Sequence, residues 1–420
     1  MLSQEDNELL TRTGPGTPMG ELMRRFWIPV MLAAELPAPD CDPVKLRILG
    51  EDLVAFRDTN GRIGVLDQHC PHRRASLYFG RNEDCGIRCV YHGWKFDVDG
   101  NCLEVPSEPP ESNMKAKVRI KSYPAREAGG FVWLYMGPPE KMGELPVCDF
   151  MAYPESHRYA SRWIQDCNWL QSLEGELDSA HVSFLHRTID RVHEKKMALT
   201  GQYFRENTFP RWTVHDTDYG MMAGATRTVE GGRNFLRVNQ FLLPFFTMIA
   251  PVPGNGRVLR AWVPCDDTHH CVIVVTYRPD RPLNEEEVAA WRNGNTAHRK
   301  TLPGTLQPEA HLANDYLIDR EVQRNASYTG IHGIRAQDAA MTESQGPVAD
   351  RTKEYLGSSD TAIIAARKRL LRAAKALMQG EDPAAARGGA LFNVLPYTIM
   401  LEPSAPIDLE ACARRPEAVA

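Results

Sequence analysis

Residues 70–72 read Cys-Pro-His, and residues 89–92 read Cys-Val-Tyr-His. Each stretch offers one thiol and one imidazole, and sixteen residues separate the two stretches. Paired ligands of this kind, supplied by two separate loops, indicate a metal site. Two centres accept two Cys and two His: a tetrahedral zinc ion, or a [2Fe–2S] cluster in which the cysteines hold one iron and the histidines the other.

The order of the ligands favours the cluster. Zinc fingers keep both cysteines in one pair and both histidines in the other, with the histidines on a helix, whereas each pair here is mixed. Cys70 and Cys89 can converge on one iron while His72 and His92 converge on the second, which is the arrangement of a Rieske centre. Because β-type segments flank both pairs, the sequence predicts a Rieske cluster held by two loops of a β-rich domain.

Size and composition limit the remaining possibilities. The chain has 420 residues, enough for two domains and a large core. Its net charge of −5 argues against nucleic acid or an anionic membrane as a partner. No apolar run approaches the ~20 residues that span a bilayer, and the acidic N-terminus lacks the apolar core of a secretory signal. The ten cysteines show no framework spacing, so we predict reduced thiols in a cytoplasmic protein, with Cys85 a spare loop thiol.

The predicted fold class is α+β, with one domain over residues 1–145 and a second over residues 146–420. The first domain opens with a short helix that has Thr17 as its N-cap and a proline as its first residue. All-β sequence follows, with frequent glycine-containing turns, to about residue 136. This first domain carries the cluster motif.

The second domain mixes helices with a sheet. A helix is predicted from about residue 169 to residue 185, and β-type runs between residues 220 and 277 are spaced like an antiparallel sheet with one buried face. Further helices are expected over residues 283–292 and 359–379. The tail after Gly380 is expected to be loosely ordered or to dock on a neighbouring chain.

A second metal centre is indicated within the predicted helix near residue 180. Glu174, Asp178, His181 and His186 read E-x3-D-x2-H-x4-H, and residues three or four apart share a helix face. His186 lies five positions after His181, which is too far for an i,i+4 pair on a regular helix. We therefore expect the helix to loosen or end between them. Two His and one carboxylate with open positions form the facial triad of non-haem Fe(II) oxygenases. The alternative is a surface helix with two ordinary histidines, and the cluster motif in the same chain makes it less favoured.

The third iron ligand must be a carboxylate. Asp178 is better placed to accept the other N–H of His181, as carboxylates beside metal-bound histidines commonly do. Glu174 and Glu176 are less well aimed. We therefore predict Asp338, which precedes a probable helical segment, with Glu343 as the second choice.

These motifs together resemble the α subunits of Rieske non-haem iron ring-hydroxylating oxygenases. The matching stretches are residues 70–73, 89–94, 168–169 and 174–186. The likeness covers nearly the whole chain and is strongest to the phthalate dioxygenase branch, on the text at residues 6–10 and 346–352. The resemblance implies a Rieske domain followed by a helix-grip catalytic domain, a homotrimer or a stack of two trimers, and a separate flavin and iron–sulfur reductase.

The resemblance also implies roles for single residues. The ligands of the family's [2Fe–2S] cluster correspond to Cys70, His72, Cys89 and His92. The ligands of its Fe(II) correspond to His181, His186 and Asp338. Asn168 would lie near the iron without being a dependable ligand. Asp178 would be the aspartate that links the iron site to the cluster histidine of the adjacent subunit.

The substrate is the least determined part of the prediction. An aromatic carboxylate would need a cation in the pocket, and arginine pairs with carboxylate through two hydrogen bonds. Arg205 and Arg237 are the candidates among the arginines of the second domain, although for any single one a solvated strand arginine is the favoured reading. We predict dihydroxylation of a phthalate-like or isophthalate-like acid. The alternatives are O-demethylation or monooxygenation of a methoxylated or aryloxy acid, and, in another class, a Rieske electron carrier without catalysis.

Overall fold

The computed structural model describes residues 1–189, 199–252 and 254–415. Ten short strands form the N-terminal half: β1 (Trp27–Leu32), β2 (Val44–Ile48), β3 (Glu51–Arg57), β4 (Ile63–Asp67), β5 (Arg81–Glu83), β6 (Gly86–Arg88), β7 (Lys95–Phe96), β8 (Cys102–Glu104), β9 (Ala125–Ala128) and β10 (Phe131–Tyr135). They pair in three small antiparallel sheets, ordered β1-β10-β9, β2-β3-β4 and β5-β6-β7-β8. The all-β character predicted for this half is confirmed.

One large sheet forms the C-terminal half. Its strands are β11 (Arg158–Gln165), β12 (Arg211–Asp216), β13 (Gly220–Thr228), β14 (Asn234–Leu242), β15 (Phe246–Met248), β16 (Arg257–Pro264), β17 (His270–Tyr277) and β18 (Tyr397–Leu401). The order is β11-β17-β16-β15-β14-β13-β12, with β18 also paired to β14, and every pairing is antiparallel. The predicted α+β class and antiparallel catalytic sheet are therefore confirmed.

Helices pack around these sheets. The α-helices described are α1 (Gln4–Thr11), α2 (Pro18–Arg24), α3 (Met114–Lys117), α4 (Trp169–Leu177), α5 (Leu199–Glu206), α6 (Glu285–Arg292), α7 (Arg320–Asn325), α8 (Ile334–Ser344), α9 (Thr361–Met378) and α10 (Leu409–Ala413). Thr17 caps α2 as predicted, by accepting the Gly20 N–H. Helices α1 and α2 pack on α9, and Lys375 of α9 pairs with Asp6 of α1 at 2.7 Å. The boundary near residue 145 stays a prediction.

The two halves share a continuous apolar core. The rings of Trp133 on β10 and Phe246 on β15 lie 6.2 Å apart, so the N-terminal sheet packs directly on the catalytic sheet. Phe241 and Phe245 are fully buried in the same core. These phenylalanines therefore pack the interior of the protein.

The described part of the tail, residues 381–415, is not loosely ordered, so that prediction was wrong for this part. Residues 397–401 form β18, which pairs along β14 from Val238 opposite Tyr397 to Asn234 opposite Leu401. Four of its five residues, Tyr397, Thr398, Ile399 and Leu401, are buried. The strand pairing and this burial anchor the segment in the chain's own sheet.

The helix that begins at Trp169 ends at Leu177, eight residues earlier than predicted. Asp178 caps its C-terminus with extended backbone, and its carboxylate accepts the Ala180 N–H at 2.6 Å. A short aspartate side chain competes with helical hydrogen bonding in this way. A separate 3-10 turn then begins at His181, so Asp178 lies at the junction between the helix and this turn.

Glu174 of α4 is paired inside the protein. Arg351 Nη2 lies 2.9 Å and Arg367 Nε 2.6 Å from its carboxylate oxygens, and all three side chains are buried. Burial acts to raise the pKa of Glu174, but the two guanidinium groups outweigh it and the pKa lies below its ordinary value. This triad links α4, α9 and the loop that follows α8.

Glu174→Ala leaves two buried guanidinium groups without their shared carboxylate. We expect a loss of about 3–5 kcal/mol in the free energy of unfolding, measured by urea denaturation, with the iron content unchanged. Glu381→Ala, at an exposed position, is the control and should change neither quantity. Loss of iron in the Glu174 variant at unchanged stability would contradict the purely structural role.

Candidate cluster site and iron centre

The two predicted cluster loops meet at the tip of the N-terminal half. The rings of His72 and His92 have centroids 4.5 Å apart, and Trp94 stacks on His72 at 4.5 Å with a 7° angle between planes. Cys70 and Cys89 are buried behind them, 1% and 3% exposed. The site therefore has a buried thiol side and a half-exposed imidazole side.

This geometry argues against a single zinc ion. Four ligands of one zinc ion, bound at about 2.0–2.3 Å, would all lie within about 4 Å of one another. No three of Cys70, His72, Cys89 and His92 bring their ligand atoms within 4.8 Å of one another. A two-iron cluster takes both cysteines on one iron and both histidines on the other, so its four ligand atoms need not lie this close together.

Burial raises the pKa of the Cys70 thiol to about 11. A thiol with this pKa is protonated at neutral pH unless a metal ion stabilises its thiolate. The buried Cys70 thiol therefore depends on the cluster for its charged form.

The second predicted centre is also assembled. Nε2 of His186 lies 3.1 Å and Nε2 of His181 lies 3.5 Å from Oδ1 of Asp338. Together the three residues place one ligand atom each within 4.8 Å of one another, the only such group of three or more His, Cys, Asp or Glu in the ranges described above. Helix α8 supplies Asp338, while the histidines flank the 3-10 turn after α4.

Each of the three side chains has a second partner on its far side. Asp178 Oδ2 lies 3.4 Å from Nδ1 of His181, and Oε1 of Gln337 lies 2.7 Å from Nδ1 of His186. These contacts leave both Nε2 atoms facing Asp338. Carboxylates and amides that hold the other nitrogen of a metal-bound histidine fix its orientation in this way.

The electrostatics keep the two aspartates ionised. Burial acts to raise the pKa of Asp338, but the charges of Arg335 and His186 lower it far below its ordinary value. Burial likewise opposes ionisation of Asp178, but its hydrogen bond to His181 holds its pKa below the ordinary value. An anionic carboxylate facing two imidazoles is a suitable ligand set for Fe(II).

The other carboxylates weighed from the sequence lie elsewhere. Glu174 is held by its two arginines, and Glu176 is paired with Arg260 and Arg335. Glu343 accepts the Asp166 N–H at 3.3 Å and does not join the histidines.

Asn168 has a structural position, which corrects its predicted place near the iron. It caps the N-terminus of α4, and its amide donates to the carbonyls of Thr11 at 2.9 Å and Asp267 at 2.7 Å. Ten residues of helix rise put it about 15 Å from Asp178 at the other end of α4. The side chain is fully buried with its amide engaged, so it joins α4 to α1 and to the β16–β17 turn.

The two candidate substrate arginines lie on neighbouring elements. Arg205 is half-buried on α5, and Arg237 is half-buried on β14. Arg237 donates to the Ala250 carbonyl and lies over the Phe204 ring at 5.2 Å.

Cys85, on a turn with left-handed backbone, contacts the side chain of Asn60 at 3.2 Å.

Sequence reasoning missed Gln337 and Arg335. Both lie on α8 with Asp338, and Arg335 contacts Asp338 at 2.9 Å across one helical turn. Arg335 and Asp338 are three residues apart, so their contact could have been predicted if this segment had been assumed to be helical. The bond from Gln337 to His186 joins positions 151 residues apart and leaves no sequence signal.

Comparison with known proteins follows the same division of the chain. Residues 26–124 match the family model of the Rieske [2Fe-2S] domain, and residues 134–398 match the model described as LigXa C-terminal domain like. The chain belongs to the Rieske non-haem iron oxygenases. Members carry a Rieske [2Fe–2S] cluster and a mononuclear Fe(II), and the two sites described above fit these cofactors in ligand type and spacing.

Relatives support this assignment over most of the chain. The oxygenase subunit of phthalate 4,5-dioxygenase from Pseudomonas putida is 41% identical over 91% of this chain and 88% of its own length. The oxygenase subunit of 3-chlorobenzoate-3,4-dioxygenase from Comamonas testosteroni is 38% identical over 90% and 89%. A solved oxygenase and ferredoxin complex of carbazole 1,9a-dioxygenase shares the fold, with a TM-score of 0.58, 19% identity, and coverage of 90% of this chain and 98% of that one.

The protein is thus a terminal oxygenase of the aromatic ring-hydroxylating or demethylating type. This removes the alternative of an electron carrier without catalysis. Among the residues that the structure covers, no helix is long and apolar enough to cross a membrane. The cytoplasmic location stays a prediction, as do the roles of the individual site residues.

His72→Ala should abolish the Rieske absorption and the EPR signal of the reduced cluster, since one iron loses half of its protein ligands. Cys85→Ser is the control, because this thiol lies on a neighbouring turn and is not expected to bind iron. An unchanged cluster spectrum in His72→Ala would contradict the ligand assignment.

Gln337→Leu should weaken iron binding at the mononuclear site by about 10–100-fold, because His186 loses the partner that fixes its ring. The readout is iron release to a chelator, with the cluster spectrum retained. Ser344→Ala, exposed at the end of the same helix and outside the cavity lining, should release iron at the wild-type rate. Equal release from both variants would remove the orienting role of Gln337.

Proposed function

We propose that this oxygenase dihydroxylates an aromatic carboxylate, phthalate-like or isophthalate-like, with O2 and with electrons from a separate flavin and iron–sulfur reductase. The observation that carries the proposal is Arg237, a half-buried arginine whose guanidinium has no ion pair with a carboxylate in the described part of the chain. Its Nε has no hydrogen-bond partner, and one of its Nη atoms donates to the Ala250 carbonyl. A guanidinium in this state suits an incoming carboxylate.

A series of contacts connects Arg237 with the iron ligands. Arg237 and Arg227 both lie over the ring of Phe204, at 5.2 and 4.5 Å. Arg227 in turn donates to the Ser179 carbonyl at 2.7 Å, and Ser179 follows the aspartate that holds His181. Arg227 is engaged by Ser179 and Asn207, so Arg237 is the better candidate of the two for a substrate.

The charge state of Arg237 is suitable for this role. Burial lowers the pKa of Arg237 to about 10, which still leaves it protonated at neutral pH. The two relatives named above are described as acting on phthalate and 3-chlorobenzoate, which are both carboxylated rings. Arg205, on the helix that carries Phe204, is proposed as the second substrate cation.

In this proposal His181, His186 and Asp338 hold the iron, and Asp178 and Gln337 fix the two imidazoles. Iron bound there would supply reductive activation of O2, with electrons from the cluster. Arg237 would orient the ring by its carboxylate, so that the same ring carbons meet the metal in each turnover. Cys70, His72, Cys89 and His92 would hold the cluster.

We further propose that the working unit is a homotrimer, or a stack of two trimers, in which each iron is fed by the cluster of an adjacent subunit. Asp178 and His181 line a cavity of about 1100 Å³, and its lining residues all come from positions 171–185 and 318–367. No cluster-loop residue contributes to this lining. Phe184, Tyr328 and Met341 of the lining are 46%, 49% and 44% exposed.

The cluster tip has a matching apolar surface. Val90 and Tyr91, beside His92, are 58% and 53% exposed. Apolar side chains that are exposed together mark interaction surfaces. The tip of a second copy is the occupant that would bring His92 to Asp178.

The experiment that tests the proposed function is a single turnover of the fully reduced oxygenase with phthalates, chlorobenzoates, phenoxybenzoate and methoxylated aryl acids. We expect a product that has gained two oxygen and two hydrogen atoms on a carboxylated ring, measured by mass spectrometry. Release of formaldehyde with loss of a methyl group would instead make the protein an O-demethylase. Turnover of arenes without a carboxylate at equal rates would contradict the role of a substrate carboxylate.

Arg237→Met should lower kcat/KM for the acid by about 10–100-fold, the equivalent of one charge-assisted hydrogen bond, mainly through KM. Arg237→Lys should recover part of the loss. Arg233→Met, an exposed arginine next to the same strand, is the control and should leave kinetics unchanged. An equal loss for the amide or ester of the substrate would show that Arg237 does not recognise the carboxylate.

A further inference from the structure

A second buried carboxylate lies behind the iron ligands. Glu176 of α4 is 1% exposed in its side chain and pairs with two arginines, Arg260 of β16 and Arg335 of α8. Arg335 Nη1 lies 2.7 Å from Glu176 Oε2, and Arg260 Nη1 donates to Glu176 Oε1. The guanidinium groups are themselves nearly inaccessible, 10% and 2% exposed.

Arg335 also reaches the iron ligand. Its Nη2 lies 2.9 Å from Oδ2 of Asp338, one helical turn away. The other oxygen of that carboxylate, Oδ1, is the one that faces His186 and His181, at 3.1 and 3.5 Å. The two oxygens of Asp338 therefore have different partners.

The pairing opposes rotation of the carboxylate. Glu176 holds one Nη of Arg335, so the guanidinium cannot follow if Asp338 turns. Oδ2 would then leave its ion pair with the other Nη, a contact that is electrostatic and is not a hydrogen bond. Glu176 is held in turn by Arg260, so that two carboxylates and two guanidinium groups balance one another in a buried network. Breaking such a pair leaves an uncompensated buried charge, which is strongly unfavourable.

We propose that Arg335 is a positioning residue that keeps Asp338 a one-oxygen ligand of the iron, with Glu176 and Arg260 holding Arg335 in place. With two imidazole nitrogens and one carboxylate oxygen bound, three positions of a six-coordinate iron remain open. A carboxylate bound through both oxygens would occupy one of them. This inference rests on the proposed assignment of Asp338 as an iron ligand and does not depend on which substrate is used.

The chain offers a matched control. Glu174, two residues before Glu176 on α4, is also buried between two arginines, Arg351 and Arg367. The contacts of Arg351 are to Glu174, Asn7 and Ala349, and none is to an iron ligand. Damage to either network should reduce stability, but only the network of Glu176 should affect the iron.

The experiment is a titration of the reduced holoenzyme with nitric oxide, a small ligand for open iron positions, followed by EPR of the iron nitrosyl. We expect Arg335→Gln to retain iron, to bind nitric oxide at least about tenfold more weakly, and to change the symmetry of the nitrosyl signal. Arg335→Lys should recover most of the affinity. Arg351→Gln should lower the melting temperature while leaving affinity and signal at wild-type values.

Three results would overturn the proposal. One is wild-type nitric oxide binding in Arg335→Gln, and another is an equal change in Arg351→Gln. The third is complete loss of iron from Arg335→Gln, because the arginine would then be needed for metal binding rather than for its geometry. If Arg335→Gln does not fold, Glu176→Gln takes its place, and wild-type nitric oxide binding in that variant would likewise overturn the proposal.

Discussion

The pairing of the half-buried Asp338 carboxylate is the interaction on which the catalytic half depends. A carboxylate taken out of water costs several kcal/mol unless it is paired, and here imidazoles meet one oxygen while Arg335 meets the other. The Asp338 carboxylate can meet the two histidines only if α8 lies against α4, because the histidines follow α4 and the carboxylate belongs to α8. The metal centre and the packing of these two helices are therefore one constraint.

Metal ligands that lie close together in the sequence could be predicted from the sequence alone. The mixed Cys and His pairs pointed to a cluster, because spacing within a loop fixes which side chains can converge. Asp338 could be proposed as one of several carboxylates and by resemblance, but no local spacing pointed to it, since about 150 residues separate it from His186. The early end of the helix at Leu177 was missed because a capping aspartate looks the same in sequence as a helical one.

The other wrong predictions have the same physical origin: contacts with residues distant in sequence determine where a segment packs. Asn168 was assigned to the iron from a motif, but the carbonyls of Thr11 and Asp267 engage its amide. Residues 397–401 follow a glycine-rich and alanine-rich stretch, yet they pair with β14 and bury four of their five side chains. Local composition does not reveal either partner.

The central claim is that one chain's cluster serves another chain's iron, because the cavity beside Asp178 is lined by the catalytic half alone. Co-expression of a His72→Ala chain, which lacks a cluster, with an Asp338→Ala chain, which lacks the mononuclear iron, tests this directly. Random mixing in a cyclic oligomer should restore about a quarter of wild-type turnover, since half of the irons are competent and half of their neighbours carry clusters. Mixed oligomers as inactive as each parent would contradict the account.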